Sequence, residues 1–406
     1  MPAPEAVIVS TARTPIGRAG KGSFIDVRPD DMSAFIISDV LGKIGLDGNL
    51  VEDIIWGCAQ PAGEAGTNIG RAAGILAGLD VPGTTVNRYC SSSLQTIRMA
   101  SHAIRAGEGD VFIAGGVEAV SRFGNGAADR GPHNERFAEA EERSAGRATG
   151  KGGRWKAPQG LPDIYIAMGQ TAENVAEYKK VSRERQDEFA ATSQNRAEKA
   201  IARGFFEREI TPYKLANGTI VSKDDCPRAG TTVEALSGLK PVFKPNGTVT
   251  AGNACPLNDG AAAVVVMSAK KAQALGLKPL AKIISSGVTA LSPEIMGLGP
   301  IEAIKQALKR SKVGRSRLTI NDIDLFEINE AFAAQVVPSA DALKIPYEKL
   351  NVNGGAIALG HPFGMTGARI MTTLINGLED ADKEFGVESM CVGGGQGMAM
   401  VIQRLR

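Results

Sequence analysis

A cysteine lies at the boundary between a strand-like and a helix-like segment in residues 86–94, Val-Asn-Arg-Tyr-Cys-Ser-Ser-Ser-Leu. Small and apolar residues then recur at helical spacing, at Leu94, Ile97, Ser101 and Ile104. Cys90 is therefore predicted at the start of a helix, where unpaired backbone N–H groups and the helix dipole favour a thiolate. Such positions lower a thiol pKa from about 8.5 to roughly 3.5–7.5, and a thiolate attacks carbonyl carbon. On its own, however, a free cysteine is more often a small buried core residue.

Glycine-rich loops carry two further reactive side chains late in the chain. His361 ends the segment Gly-Gly-Ala-Ile-Ala-Leu-Gly-His, residues 354–361, in which glycine permits close backbone approach to a substrate. Its imidazole could deprotonate Cys90 or donate to a developing oxyanion. Cys391 precedes Val-Gly-Gly-Gly, whose backbone N–H groups could surround an oxyanion. A second thiol at this place could transfer a proton.

An asparagine follows a third strand-like run, in the segment Asn329-Glu330-Ala331-Phe332. A side-chain amide at the carboxyl end of a strand is well placed to orient a water or a carbonyl group. Asn329 would make equal sense as a helix N-cap, and Glu330 could stabilise the first helical turn.

The remaining cysteines and histidines lack such surroundings. Cys58 and Cys226 are interpreted as packing or surface residues, His102 as a mid-helix residue and His133 as part of a charged, solvent-facing segment. Five widely spaced cysteines without a CxxC pair indicate neither a disulfide framework nor a zinc site, so no metal is expected. Reduced thiols predict a cytoplasmic location.

Composition excludes several classes of protein. The chain has 406 residues, with 46 Lys and Arg against 44 Asp and Glu, so its formal net charge of +2 gives no support to a nucleic-acid partner or a membrane-surface role. Neither a cleavable signal nor an apolar run long enough for membrane insertion is recognised.

The elements that must position these residues are short apolar strands separated by helical segments, which predicts mostly parallel α/β sheets covered on both faces. The plan occurs twice. Three segments of the first part match three of the second in the same order: 53–57 with 322–326, 85–87 with 351–353, and 111–116 with 390–395. Chance similarity between strands is the alternative, but the matched order favours two duplicated halves.

A stretch that matches neither copy, residues 121–250, is interpreted as an inserted subdomain that could form a binding wall or serve only packing. Residues 124–160 are rich in Gly, charge and turn formers and indicate an excursion from the core. Residues 183–204 predict an amphipathic helix with an apolar side formed by Phe189, Ala197, Ala200 and Ile201.

Four ordered blocks of the chain resemble the active-site blocks of the thiolases. They are Val86-Asn87-x-x-Cys90-Ser91-Ser92, Asn329-Glu330-Ala331-Phe332, Gly354-Gly355-x-x-x-x-Gly360-His361-Pro362 and Cys391-x-Gly393-Gly394-Gly395. Residues 10–17 and 250–253 resemble further family segments, so the likeness extends over essentially the whole chain.

The resemblance implies a role for each residue of the blocks. Cys90 would carry the acyl group, His361 would activate it and form one oxyanion hole with a water held by Asn329, and Cys391 would exchange the proton. The N–H groups of Cys90 and Gly393 would form the second oxyanion hole. The implied reaction is CoA-dependent cleavage of a 3-ketoacyl-CoA, or the reverse condensation, with CoA as cosubstrate and no tightly bound cofactor.

Contacts to CoA follow from the same resemblance. The implied lining residues are Met168, Arg228, Leu239, Phe243, Cys255, Met296, Ala331 and Phe332. Arg228 would bind the adenine or phosphate end. Three positions depart from the pattern. Ser93 stands where many relatives have Gly, and Ala167 and Cys255 replace a His and a CoA-contacting Ser of the biosynthetic acetoacetyl-CoA enzymes.

These departures favour a 3-ketoacyl-CoA thiolase of broader chain length over the short-chain biosynthetic enzyme, which stays an alternative. A ketoacyl-synthase-like condensing enzyme, with one Cys and two His, is a second alternative, and a non-catalytic acyl-CoA carrier a third. The family fold implies two duplicated α/β/α/β/α halves with an inserted loop domain. The predicted divisions are 1–120 with 251–278 for the N-terminal half, 121–250 for the CoA-binding loop domain and 279–406 for the C-terminal half. A homodimer or homotetramer is implied.

Overall fold

The computed structural model describes residues 4–406. The N-terminal part contains the strands β1 (Ala6–Arg13), β2 (Gly17–Arg18), β3 (Asp53–Gly57), β4 (Gly83–Val86), β5 (Val111–Ala119), β6 (Tyr213–Lys214), β7 (Ile220–Val221) and β8 (Asn258–Ser268). Its helices are α1 (Pro29–Gly42), α2 (Ile69–Leu76), α3 (Ser92–Ala106), α4 (Ala138–Ala148), α5 (Met168–Lys179), α6 (Arg183–Ala202), α7 (Val233–Ser237) and α8 (Ala269–Ala274).

The C-terminal part contains the strands β9 (Ala281–Ala290), β10 (Leu325–Ile328), β11 (Phe385–Val392) and β12 (Gln396–Arg404). Its helices are α9 (Gly299–Arg310), α10 (Ala333–Leu343), α11 (Ala356–Leu359) and α12 (Thr366–Asp380).

The strand order repeats between the two parts and confirms the duplication. The first part runs β4-β3-β5-β8-β1 and the second β10-β11-β12-β9, while Leu350 forms an isolated parallel bridge with Phe326 at the place that β4 occupies beside β3. In each part the outer pairings are parallel and the inner ones antiparallel. Two residue pairs between β1 and β9 join the halves into one sheet.

The prediction of mostly parallel sheets was wrong. Within residues 4–406, three of the nine pairings in the large sheet are parallel, because each half ends in two long antiparallel strands. Strands such as β8 are buried along their whole length. A continuous apolar run in the sequence therefore indicates that a strand is buried on both faces, but it does not indicate whether its neighbours are parallel or antiparallel.

Five layers follow from how the apolar clusters divide. One cluster joins the sheet of the first half to α1 and α2, and another joins the sheet of the second half to α9 and α10. Between the two halves of the sheet lies a third cluster, built around α3 and α12, which contact each other. The molecule is thus a duplicated α/β/α/β/α fold, and Cys90 belongs to its central cluster.

The inserted stretch contains more regular structure than its composition indicated. Helix α4 falls within residues 124–160, which were predicted as an excursion. The predicted amphipathic helix is α6, and Phe189, Ala197 and Ala200 are buried. Ile201 was placed wrongly on the buried side, since 39% of it is exposed.

Membrane-spanning helices and metal-binding clusters are both absent from the part of the chain that the structure describes. Across residues 4–406, none of the helices combines the length and apolar character needed to cross a membrane. No group of three or more His, Cys, Asp and Glu side chains in that range is arranged to hold a metal ion.

Candidate active site

Cys90 stands on a strained turn between β4 and α3. Tyr89 adopts a positive φ of 44°, a left-handed conformation that costs free energy for a non-glycine residue. The turn is held by the Tyr89 N–H, which donates to Asn87 Oδ1 at 2.8 Å, and by the Arg88 N–H, which donates to Ser92 Oγ at 3.0 Å. The predicted strand-to-helix junction is confirmed, with one 3-10 turn between the strand and α3.

The Cys90 thiol is not the acidic group that its place at the helix start predicted. Burial raises its pKa to about 11, although the backbone N–H groups of Gly393 and of Cys90 itself favour the thiolate. Only 8% of the residue is exposed. Withdrawal from water therefore outweighs the helix terminus, and Cys90 rests as a neutral thiol that needs a base at the moment of attack.

His361 is buried with both ring nitrogens engaged. Nδ1 lies 2.6 Å from Thr366 Oγ1, and Nε2 lies 3.3 Å from Asn329 Nδ2. The backbone N–H of His361 donates to Asn258 Oδ1 at 2.9 Å. Burial, and then the charge of Arg369, lower the imidazole pKa to about 3. The ring is therefore neutral at neutral pH and able to accept a proton.

Asn329 lies at the end of β10 beside His361, as predicted, but it is not a helix N-cap. Helix α10 begins at Ala333, with Phe332 at its N-cap. Glu330 does not stabilise that helix either; its carboxylate accepts from Ser193 Oγ, Asn351 Nδ2 and the Ile357 N–H. The buried Oδ1 of Asn329 has no hydrogen-bond partner within residues 4–406.

The second thiol, Cys391, ends β11 close to Cys90. Burial raises its pKa, as does negative charge on Cys90 and on Cys255. Its Sγ donates to Gln335 Oε1 at 3.3 Å. Cys90 of the first half therefore lies beside Gly393 and Cys391 of the second, while Asn329 contacts His361 within the second half.

The other cysteines and histidines do not belong to this group, with one exception. Cys58 and Cys226 are buried, and His102 and His133 are exposed on α3 and on the inserted stretch. The absence of a second histidine beside His361 argues against the one-Cys, two-His arrangement. Cys255 is the exception, because it lies near Cys391 and lines the adjoining cavity.

A cavity of about 600 Å³ adjoins the site. Of the predicted CoA contacts, Arg228, Leu239, Phe243 and Cys255 line it. The remaining four, Met168, Met296, Ala331 and Phe332, do not line it; they pack with Cys391, Phe243 and Cys255 in a small apolar cluster at its inner end.

Sequence reasoning missed several residues of the site. Arg18 and Lys21 line the cavity beside Arg228, although some 200 residues separate them along the chain. Thr366 and Asn258 fix His361. No local spacing pattern could have found Arg18, Lys21 or Asn258, which act across the chain, whereas Thr366 lies only five residues after His361. Ser93, one of the three positions that depart from the family pattern, packs under α12, where its Oγ accepts a hydrogen bond from the Ala368 N–H.

The fold and site define the class of protein by two duplicated α/β halves and two thiols, Cys90 and Cys391, that are buried close together. Models of the thiolase N-terminal and C-terminal domains match residues 6–270 and 277–404. The chain belongs to the thiolase family and is an acyltransferase.

Individual relatives match over nearly the full length. A 3-ketoacyl-CoA thiolase of Bacillus subtilis is 45% identical, over 98% of this chain and 99% of the relative. A beta-ketoadipyl-CoA thiolase of Acinetobacter baylyi is 44% identical, again over 98% and 99% of the two chains. The crystal structure of an acetyl-CoA acetyltransferase of Bacillus anthracis superposes with a TM-score of 0.84 at 38% identity, covering 99% of both chains.

Proposed function

We propose that this protein cleaves 3-ketoacyl-CoA with free CoA, and catalyses the reverse condensation, through an acyl group carried on Cys90. The observation that carries the proposal is a pair of buried thiols that lie close together, Cys90 and Cys391, in a chain that also buries the neutral imidazole of His361. Both the cleaving and the condensing direction need a nucleophile, a base and a separate proton carrier for carbon.

In the first half-reaction, His361 accepts the Cys90 proton while Sγ attacks the 3-keto carbon. The carbon–carbon bond breaks, the acyl group stays on Cys90 as a thioester, and acetyl-CoA leaves as an enolate. Cys391 donates its proton to that enolate carbon. Asn329, whose buried Oδ1 accepts no hydrogen bond from residues 4–406, is suited to orient a water here.

In the second half-reaction, the Cys391 thiolate accepts the proton of the incoming CoA thiol. The CoA sulfur attacks the thioester carbonyl, and the Cys90 sulfur leaves, taking back the proton held by His361. We assign stabilisation of the tetrahedral oxyanion to the N–H groups of Gly393 and Cys90, which lie beside Sγ.

CoA is proposed to occupy the 600 Å³ cavity as a cosubstrate, with no tightly bound cofactor. Three cations, Arg18, Lys21 and Arg228, line the cavity and suit the phosphates. Its apolar wall, formed in part by Leu239 and Phe243, suits the pantetheine arm. The proposed loop domain, residues 121–250, supplies about half of the residues of this wall.

For the acyl chain, we propose 3-ketoacyl-CoA esters of broader length, because Ala167 and Cys255 replace the His and Ser of the short-chain biosynthetic pattern. Relatives named 3-ketoacyl-CoA thiolase support this choice. The structural likeness to an acetyl-CoA acetyltransferase favours acetoacetyl-CoA as the alternative substrate.

The test is a kinetic comparison of purified protein with acetoacetyl-CoA and with longer 3-ketoacyl-CoA esters. We expect CoA-dependent loss of both, with higher kcat/KM for the longer esters, and an acyl-Cys90 adduct detectable by mass spectrometry. Cleavage of none of them, or full activity of Cys90→Ser, would show that the proposal is wrong. Turnover of a malonyl thioester would instead support the ketoacyl-synthase-like alternative.

A homodimer, or a homotetramer built from it, is also proposed. Strand β4 is half-buried at the edge of the sheet, and an unpaired edge is a template for pairing with a second copy. Exposed apolar side chains lie near it: Ile75, Leu76 and Tyr89. Light scattering of the purified protein distinguishes these assemblies from a monomer, which would contradict the proposal.

A further inference from the structure

A buried carboxylate outside the proposed catalytic group lies beneath it. Glu118 stands near the end of β5 and is 1% exposed. Its Oε2 accepts from the backbone N–H groups of Ala59, at 3.0 Å, and Gly364, at 2.9 Å. Its Oε1 accepts from the Gln60 N–H at 3.2 Å and the Cys58 thiol at 3.8 Å.

These donors come from two different loops. Residues 58–60 follow β3 in the first half, whereas Gly364 lies three residues after His361 in the second half. Gly364 is pressed against the first half, since a Cβ there would lie 2.2 Å from Val117 O and 2.9 Å from Gly57 O. Glu118, in the first half, therefore binds the loop of the second half that carries His361.

The other hydrogen bonds near the imidazole are those of its ring nitrogens to Thr366 Oγ1 and Asn329 Nδ2 and two that involve the loop backbone. The His361 N–H donates to Asn258 Oδ1 at its beginning, and Thr366 Oγ1 donates to Pro362 O within it. The Gly364 contact to Glu118 is the anchor in its middle. Cys90, meanwhile, is fixed to the first half by α3. The separation of imidazole and thiol thus depends on how the loop lies on Glu118.

We propose that Glu118 is a positioning residue, which holds the His361 loop at the distance from Cys90 that proton transfer requires. This inference rests on the proposed roles of His361 and Cys90. A displacement of about 1 Å at such a place can reduce the rate about 100-fold. An ionised carboxylate serves here because each of its two oxygens accepts hydrogen bonds from two donors. An amide has only one accepting oxygen, and its NH2 group is itself a donor.

The groups that face Glu118 are the thiols of Cys58 and Cys90 and the backbone donors described above. Glu64 and Arg122 lie at the edge of a small neighbouring cavity and pair with each other. Burial raises the Glu118 pKa to about 7, against the lowering effect of the three N–H donors. Protonation removes acceptor capacity, so loosening of the loop is expected as pH falls through that value.

The experiment compares Glu118→Ala and Glu118→Gln with Glu209→Gln in the full-length enzyme. Glu209 is also a fully buried carboxylate, but it binds Arg13 and Thr373 and touches neither loop. Each kcat is normalised to the fraction of Cys90 that forms the acyl adduct. We expect Glu118→Ala to lower kcat about 100-fold with KM for CoA changed less than about twofold, and Glu209→Gln to leave kcat within about twofold.

Glu118→Gln keeps one accepting oxygen and mimics the protonated acid, so a loss of about 10-fold or less is expected. Wild-type kcat should fall below about pH 7 toward the level of this variant, whose own kcat stays flat there. The proposal is overturned if Glu118→Ala keeps the kcat of the wild type, or if the kcat of Glu118→Gln still falls below pH 7. If the alanine variant does not fold, the glutamine profile decides. Absence of an acyl adduct in the wild type would instead contradict the roles proposed for Cys90 and His361.

Discussion

Replacing Thr366 by Val tests whether the imidazole of His361 is held in one tautomer. The Thr366 hydroxyl has a single proton, which it donates to Pro362 O at 2.8 Å. The His361 Nδ1 atom, 2.6 Å from the same oxygen, must then be the donor. That leaves Nε2 without a proton, so it accepts from Asn329 Nδ2 in this structure and has the lone pair that a base needs. Valine has nearly the same shape but no acceptor, so Nδ1–H would be buried without a partner.

The size of the effect follows from this lost contact. A buried donor left without its acceptor costs about 1–3 kcal/mol, which corresponds to a fall of about 5- to 150-fold in the population of the working tautomer and hence in kcat. Because burial keeps the His361 pKa near 3, the imidazole stays neutral in both proteins. The shape of the pH profile between about pH 6 and pH 8 should therefore be unchanged.

Steady-state thiolysis, normalised to acylated Cys90, measures the loss, with Thr366→Ser as the matched control. Serine restores the hydroxyl and should recover kcat to within about threefold of the wild type. KM for CoA should move little, because Thr366 does not line the CoA cavity. Unchanged kcat in Thr366→Val, or an equal loss in Thr366→Ser, would refute the tautomer argument.

Further predictions concern the two thiols and the cavity. Cys90→Ser should lower kcat by at least about 10³-fold and abolish the acyl adduct, as mass spectrometry would show; retained turnover would contradict its role as carrier. Cys391→Ala should lower kcat about 10²–10⁴-fold while Cys90 still accepts an acyl group from acetyl-CoA, and a normal rate would exclude it as the proton carrier. Arg228→Ala should raise KM for CoA about 5- to 10-fold with kcat preserved, whereas a change in kcat alone would place Arg228 elsewhere in the mechanism. Because burial raises the Cys90 pKa to about 11, the thiol is protonated below that pH, and its alkylation by iodoacetamide should quicken about tenfold per pH unit from roughly pH 7 to pH 10; a plateau near pH 7 would show an acidic thiol.

Much of the site was predictable because its residues lie in short blocks with distinctive chemistry. Cys90, His361, Cys391 and Asn329 were each identified beside strands or glycine-rich turns, and the structure pairs Asn329 with His361 and Cys391 with Cys90. The duplication was likewise recognisable, because homologous strands kept their order along the chain. The division into domains and the individual catalytic and CoA-binding roles stay predictions.

The errors have a common physical origin. Cys90 was expected to be acidic because it begins a helix, but that reasoning counted the local N–H groups and could not count the water excluded by the opposite half. Asn329 was given an N-cap alternative because asparagine is a common cap. In the structure α10 begins at Ala333 and Phe332 is its N-cap, which the residue types do not reveal. The burial of Ile201 was misjudged because 39% of the residue stays exposed near the end of α6, which helical spacing alone does not reveal.

The sequence by itself determined the reactive residues and the repeated strand plan, because side-chain chemistry and hydrophobic spacing are written locally. Tertiary structure decided the protonation states, since burial depends on what packs from the other half: it holds Cys90 as a thiol and His361 as a neutral base. It also decided which distant groups join the site. Arg18 and Arg228 line the same cavity, and the Gly364 N–H donates to Glu118. Both contacts join residues far apart in the chain, so their spacing in the sequence does not predict them.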